Sequence, residues 1–137
     1  MSEWWKWLPK KEEESLGFAV IGIGRFGSAV CRELLRNGAD VLAVDSSEKA
    51  IDELRQVEPS IEARVVDSTD EESMKEAGVL QMGTVVVGIS EPIEASITTT
   101  LIAKDTPGSL VKNVIARATS DLHEKMLKRV GADRVVF

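Results

Sequence analysis

The stretch FAVIGIGRFGSAV, residues 18–30, decides the fold. Its first half is a near-continuous apolar run, which is typical of a strand buried on both faces of a sheet. Its second half opens a helix over residues 25–37, and Gly38 follows where a helix C-terminus favours glycine. The strand and the helix are joined by the pattern G-x-G-x-x-G. A strand, this turn and a helix in that order predict a loop that holds the phosphates of a nucleotide.

Each glycine of the loop has its own predicted role. Gly22 permits the tight turn, Gly24 lets the backbone approach a pyrophosphate, and Gly27 lets the helix pack close to the strand. The helix start then offers free N–H groups and the positive end of its dipole to an anion. Arg25 opposes that dipole, so we expect it to contact phosphate. The predicted phosphate-binding residues are Gly22, Ile23, Gly24, Arg25, Phe26 and Gly27.

Apolar runs alternate with amphipathic stretches along the rest of the chain. The predicted strands after the first are DVLAVD, ARVVD, GTVVVGIS, LVKNVIARA and DRVVF. The predicted helices between them are SEKAIDELRQV, TDEESMKEAGVL, PIEASITTTLIAK and SDLHEKMLKRVG, and Thr69 with Glu72 is predicted to cap one of them. Residues 16–137 are therefore expected to form a Rossmann-like doubly wound α/β domain, with a six-stranded parallel sheet and helices on both faces.

Asp45 ends the second predicted strand, where a carboxylate can accept hydrogen bonds from both ribose hydroxyls and repel a 2′-phosphate. It can also begin the turn before the next helix, together with Ser46 and Ser47. Both roles are compatible, and Ser46 is predicted to bind the nucleotide beside Asp45. The predicted ligand is an adenine nucleotide with a free ribose 2′-hydroxyl, namely ATP, ADP or NAD(H) and not NADP.

Other polar residues follow the remaining strands, at the edge of the sheet where ligands of open α/β folds bind. Asp67 and Ser68 follow the third strand, where we expect helix capping as their first role and contact with the adenine as a second. Arg117 ends the fifth strand, where an unpaired charge is costly, so an acidic group or the ligand is its expected partner. The further cleft residues are predicted to be Ile89, Ser90 and Glu91.

Composition sets limits on function. The chain has 137 residues, enough for one domain but not for a cofactor domain plus a catalytic domain. The net charge of −6 argues against general binding to nucleic acid or to anionic membrane. A single cysteine, Cys31, favours a reducing, cytoplasmic compartment. No apolar run is long enough to span a membrane, and no signal peptide is evident.

Residues 1–15 differ from the rest of the chain, because Trp4, Trp5 and Trp7 precede a Lys/Glu run. One interpretation is a flexible Trp-rich leader and linker. The other is a segment that docks on a partner, since tryptophans are favoured at interfaces.

The residues that catalysis needs are scarce. His123 is predicted to lie on the surface of a charged helix, and Cys31 is predicted to be a small core residue. There is no tyrosine for a reductase acid, no pair of histidines with a carboxylate for a metal, and no Gly-Lys-Ser/Thr of a P-loop. The sequence therefore favours binding without turnover.

Four segments, FAVIGIGRFGSAVCRELLRNGADVLAVD, VVDSTDEE, EASITTTLIAKD and KRVGADRVVF, together resemble the RCK/KTN (TrkA-N) domains of bacterial potassium channels and transporters. The chain is most similar to the cytoplasmic regulatory subunits of Ktr- and Trk-type potassium-uptake systems. The resemblance implies a homodimer that assembles into a ring beneath an integral-membrane potassium-translocating subunit, at the inner face of the cell membrane. It also implies that the bound nucleotide biases the dimer geometry.

The resemblance assigns phosphate binding to the loop from Gly22 to Gly27, the ribose to Asp45 and the adenine to Asp67 and Ser68. It further implies that this chain is a fragment lacking a smaller C-terminal lobe. The alternative from another class is the cofactor domain of a truncated NAD-dependent oxidoreductase, which requires a large second domain. A methyltransferase is a third, weaker option, because its loop usually lacks the third glycine at this spacing.

Overall fold

The computed structural model describes residues 17–137. The predicted leader, residues 1–15 with its three tryptophans, lies outside the described residues. Six strands alternate with five helices in the part of the chain that is described. The strands are β1 (Phe18–Ile21), β2 (Val41–Asp45), β3 (Glu62–Val65), β4 (Thr84–Val87), β5 (Asn113–Arg117) and β6 (Arg134–Val136). The helices are α1 (Arg25–Arg36), α2 (Glu48–Val57), α3 (Glu71–Ala77), α4 (Ile93–Asp105) and α5 (Asp121–Arg129), with a short 3₁₀ turn at Val79–Gln81.

All neighbouring strands pair in parallel in the order β3-β2-β1-β4-β5-β6. The strand order reverses between β1 and β4, which opens a crevice at the carboxyl ends of those strands. In register, Ile21 of β1 lies between Val44 of β2 and Val87 of β4, so the residues that follow these three strands meet at one edge. The predicted doubly wound parallel fold is confirmed.

The sheet is covered on both faces because alternate strand residues point to opposite sides. Val20 and Val86 belong to one apolar cluster with residues of α1 and α2. Ile21 and Val87 belong to a second cluster with residues of α3, α4 and α5, such as Met74. The two clusters hold the sheet between two helical layers, and this fixes the edge on which the candidate site lies.

The start of α3 differs from the prediction that Thr69 caps it. The Asp70 side chain caps this helix by accepting from the Ser73 backbone N–H at 3.0 Å. Thr69 instead donates its N–H and its hydroxyl to one oxygen of Asp67, at 3.0 and 2.6 Å. The carboxylate of Asp67 competes for Thr69, so the helix starts one residue later than predicted. The helix also ends early, at Gly78, which has a φ of 87°.

Candidate functional site

A cleft of about 260 Å³ opens at the carboxyl ends of the central strands. It is bounded by the loop between β1 and α1, the ends of β2 and β3, and the segment between β4 and α4. Of the residues predicted from the sequence, the cleft walls include Gly22, Gly24, Asp45, Ser46, Asp67, Ser68, Ile89, Ser90 and Glu91. Five other predicted residues are absent from those walls, namely Ile23, Arg25, Phe26, Gly27 and Arg117.

The glycine loop is tight on one side and open on the other. Gly22 has a φ of 92°, and a Cβ there would lie 2.8 Å from the Ile89 nitrogen. A Cβ on Gly27 would lie 1.9 Å from the Gly22 carbonyl oxygen, so α1 packs directly on the loop. A Cβ on Gly24 would meet nothing within 4 Å. Gly24 therefore faces open space in the cleft, and its lack of a side chain leaves room for a ligand.

Gly88, which the sequence reasoning missed, completes this arrangement. It follows β4 and lines the cleft, and a Cβ there would lie 3.0 Å from the Gly22 carbonyl oxygen. The signal was present in VVVGIS, where a glycine interrupts the end of an apolar strand. Pro92 and Ala95, at the start of α4, also line the cleft and were not predicted.

The Asp45 carboxylate joins two segments of the cleft. Its Oδ2 accepts from the Ile23 backbone N–H at 2.6 Å, and its Oδ1 accepts from the Ser47 backbone N–H at 2.8 Å. Ser47 in turn caps α2, because its side chain accepts from the Ala50 backbone N–H. Each carboxylate oxygen has two lone-pair directions, so both oxygens keep acceptor capacity toward the cleft. Asp45 therefore begins the turn before α2 and can still bind hydroxyls.

The start of α1 is electrostatically suited to an anion. Gly24 occupies the N-cap position without a side-chain cap, and the first turn contains no acidic residue. The positive end of the helix dipole is therefore not neutralised within its own first turn. Arg25, the first residue of the helix, is exposed and adds a positive charge beside the loop.

Arg117 lies on the α1 side of the sheet. Its guanidinium is 5.6 Å from the centroid of the Phe26 ring, in the range of a cation–π contact. The Phe26 ring is thus the partner that the structure gives to Arg117, and contact of Arg117 with a ligand stays a prediction. The ring contact ties the end of β5 to the first turn of α1, behind the glycine loop.

His123 was predicted to lie on the surface, and this prediction is wrong, because only 1% of the residue is exposed. Its Nδ1 accepts from the Thr119 backbone N–H at 3.1 Å, so the proton resides on Nε2, which donates to Ser96 Oγ at 2.6 Å. Ser96 Oγ donates onward to the Ile93 carbonyl at 2.9 Å. These partners come from α4 and from the segment that follows β5. Their hydrogen bonds offset the cost of burying a polar ring.

Burial lowers the pKa of His123 below its ordinary value of 6.5. The unfolded chain therefore binds this proton at a higher pH than the folded chain. We expect full stability above about pH 7, a loss as the pH falls through 6.5, and a levelling below the folded pKa. His123→Gln should flatten this part of the profile, as measured by urea unfolding between pH 5 and 8. If the stability of His123→Gln falls as steeply with decreasing pH as that of the wild type, the pH dependence does not come from His123.

Neither a metal site nor a reactive thiol is evident in residues 17–137. No group of three His, Cys, Asp or Glu side chains there could hold a metal ion. Cys31 is fully buried, and burial raises the pKa of its thiol to about 12, so it is a core residue as predicted. Among the described helices, none has the length and apolar character that crossing a membrane requires.

The strand order, the glycine loop and the acidic residue ending β2 define a Rossmann-type domain. The chain belongs to the TrkA-N domain family, whose profile matches residues 18–137.

The chain is 41% identical over 119 residues to the Ktr system potassium uptake protein C of Bacillus subtilis, covering 87% of this chain and 52% of that protein. It is 39% identical over 120 residues to the Ktr system potassium uptake protein A of Vibrio alginolyticus, covering 88% and 52%. The chain thus spans about half the length of the curated relatives it matches. Among solved structures, it is similar to the NAD(P)-binding domain of an exopolyphosphatase-related protein from Archaeoglobus fulgidus. That match has a TM-score of 0.75 and 28% identity, and it covers 89% of this chain and 87% of the other.

Proposed function

We propose that this chain is the nucleotide-sensing domain of a regulatory subunit of a potassium-uptake system. The observation that carries the proposal is the cleft itself, where Gly24 leaves an open approach to the start of α1 and Asp45 keeps free acceptor positions. The likeness to Ktr potassium uptake proteins supplies the transport context. The likeness to an NAD(P)-binding domain supports the class of ligand.

The ligand is an adenine nucleotide with a free ribose 2′-hydroxyl, namely ATP, ADP or NAD(H). Its phosphates lie over Gly24 at the positive end of α1, with Arg25 beside them. The Asp45 carboxylate accepts from the ribose hydroxyls and excludes a 2′-phosphate by like-charge repulsion. The adenine lies toward Asp67 and Ser68. The remaining predicted binding residues, Ile89, Ser90 and Glu91, border the other end of the cleft.

Four residues predicted to bind ligand also shape the loop, namely Ile23, Phe26, Gly27 and Arg117. The Ile23 N–H is taken by Asp45, Gly27 packs on Gly22, and Phe26 lies under Arg117. Their role is to hold the turn in the form that leaves Gly24 open.

The domain binds its ligand without chemical turnover. His123 is buried and neutral, and Cys31 is buried with a raised pKa, so neither is available to a substrate. The ligand acts by population shift, because a nucleotide that contacts one geometry of the assembly better than another favours that geometry. The assembly is a homodimer that builds a ring at the cytoplasmic face of the membrane, against an integral-membrane potassium-translocating subunit.

Helices α4 and α5 present the surface that we assign to contact between copies of the chain. They pack against each other and expose Leu101, Leu122 and Met126, of which Leu122 is 67% exposed. Exposed apolar side chains on neighbouring helices are typical of protein interfaces.

Leu122→Glu is expected to shift the domain toward monomer, because a carboxylate in an apolar interface is costly to desolvate. Light scattering after size-exclusion chromatography measures this shift, without nucleotide and with ATP, ADP or NADH. The wild type should change its assembly differently with different nucleotides. Val57→Glu on α2 is the matched control, since Val57 is 50% exposed on the other face of the sheet. If Leu122→Glu and Val57→Glu assemble equally, the α4 and α5 surface is not the contact between copies of the chain. If the assembly of the wild type is the same with every nucleotide and without one, the domain does not sense nucleotide through its assembly.

A further inference from the structure

Helix α4 buries hydroxyl side chains completely, while its Ile97 and Ile102 are only partly buried against the core. Its buried residues are Ser96, Thr99, Thr100 and Ala103, whereas Leu101 is exposed. A helix that covers a sheet usually buries its apolar side chains. Buried hydroxyls need hydrogen-bond partners, and no side-chain polar atom buried within residues 17–137 lacks one. The partner of each hydroxyl therefore indicates why it is there.

Thr99 and Thr100 are neighbours with equal burial and different partners. Both are 0% exposed. Thr100 Oγ1 donates to the Ser96 carbonyl at 2.9 Å, a bond within its own helix. Thr99 Oγ1 donates to the Ser68 carbonyl at 3.2 Å and lies 2.7 Å from Ser68 Oγ. Because the Thr99 proton points at the carbonyl, the Ser68 hydroxyl donates to Thr99 Oγ1, and the two bonds form a closed pair.

Ser68 belongs to the loop between β3 and α3 that forms one end of the cleft. Its neighbours Asp67 and Thr69 are exposed, whereas Ser68 is buried against α4. One carboxylate oxygen of Asp67 accepts two hydrogen bonds from Thr69, within the loop itself. The pair with Thr99 thus anchors the middle of the loop to a helix that begins at the opposite side of the cleft.

We propose that Thr99, which lies outside the cleft walls, is a positioning residue for the adenine end of the cleft. It holds Ser68 by two hydrogen bonds and so fixes the loop that carries Asp67. This inference rests on the proposed function, because it assigns a role within the nucleotide cleft. Thr99 touches no ligand and acts through Ser68 alone.

The test compares three variants with the wild type by calorimetric titration with ADP and by thermal unfolding. Thr99→Val keeps the shape of the side chain and removes both hydrogen bonds, and we expect about tenfold weaker ADP binding. Thr99→Ser keeps the hydroxyl and loses only a methyl group. Its ADP affinity should therefore stay within about twofold of wild type, while its stability falls. Thr100→Val is the matched control, since it removes an equally buried hydroxyl bonded only within α4. Its ADP affinity should match wild type.

The outcomes separate this inference from the proposed function. Wild-type affinity in Thr99→Val would overturn the inference alone. So would equally weak binding by Thr99→Ser and Thr99→Val, because the loss would then follow packing rather than the hydroxyl. Absence of ADP, ATP and NADH binding by the wild type would overturn both the inference and the proposed function. If Thr99→Val does not fold, Thr99→Ala replaces it in the test. This variant also lacks the hydroxyl, leaves room for a water molecule, and is expected to bind ADP as weakly as stated for Thr99→Val.

Discussion

Gly27→Ala is expected to destabilise the domain by about 3 kcal/mol or more, because the added methyl group would clash with the backbone of the loop. The added Cβ would lie 1.9 Å from the Gly22 carbonyl oxygen. That carbonyl is itself confined, since a Cβ on Gly88 would approach it to 3.0 Å. Relief therefore requires α1 to move away from the end of β1. A loss of this size is a large fraction of the stability of an ordinary domain.

Thermal unfolding measures this effect, with Gly24→Ala as the matched control in the same loop. A Cβ on Gly24 meets nothing within 4 Å, so Gly24→Ala should unfold near the wild-type temperature. The same variant should bind adenine nucleotides more weakly, because its methyl group occupies the open approach to α1. An unchanged unfolding temperature in Gly27→Ala would contradict the role given to that glycine as a packing contact.

Asp45→Ala is expected to weaken adenine nucleotide binding by about 1.5–3 kcal/mol, which is more than tenfold in Kd. The substitution removes the acceptor for the ribose hydroxyls. It also leaves the Ile23 and Ser47 backbone N–H groups without the partner that each has at 2.6 and 2.8 Å. Both losses act in the same direction, since the second loosens the loop over which the phosphates lie.

Calorimetric titration with ADP or NADH measures this change. Asp40→Ala is the control, because Asp40 is an exposed aspartate beside the opposite, amino end of β2. It should bind nucleotide as the wild type does. If Asp45→Ala binds nucleotide with unchanged affinity, Asp45 does not contribute to nucleotide binding.

The fold was predictable from the sequence because its signals are local. The signals for the strand, turn and helix of residues 18–30 lie in adjacent residues. The positive φ of Gly22 and the close packing of Gly27 are both possible because glycine has no side chain. The alternation of apolar runs and amphipathic helices then fixes a parallel sheet. The edge at which Asp45 and Asp67 meet follows from that sheet.

The errors came from contacts between distant segments or from competition between neighbours. His123 is buried because Ser96, on another helix, completes its hydrogen bonds, and no periodicity within α5 contains that information. The pairing of Thr99 with Ser68 and of Arg117 with Phe26 likewise depends on tertiary packing. The wrong cap at α3 has a local cause, since Asp67 binds Thr69 and leaves the capping position to Asp70.

The most direct test of the central claim is a calorimetric titration of the wild-type domain with ATP, ADP, NADH and NADPH. The cleft is expected to bind at least one of the first three nucleotides, and to bind NADPH at least tenfold more weakly than the tightest of them. The reason is that the 2′-phosphate would be placed against the Asp45 carboxylate. NADPH binding as tight as or tighter than that of the other three, or no binding of any of the four, would contradict the account.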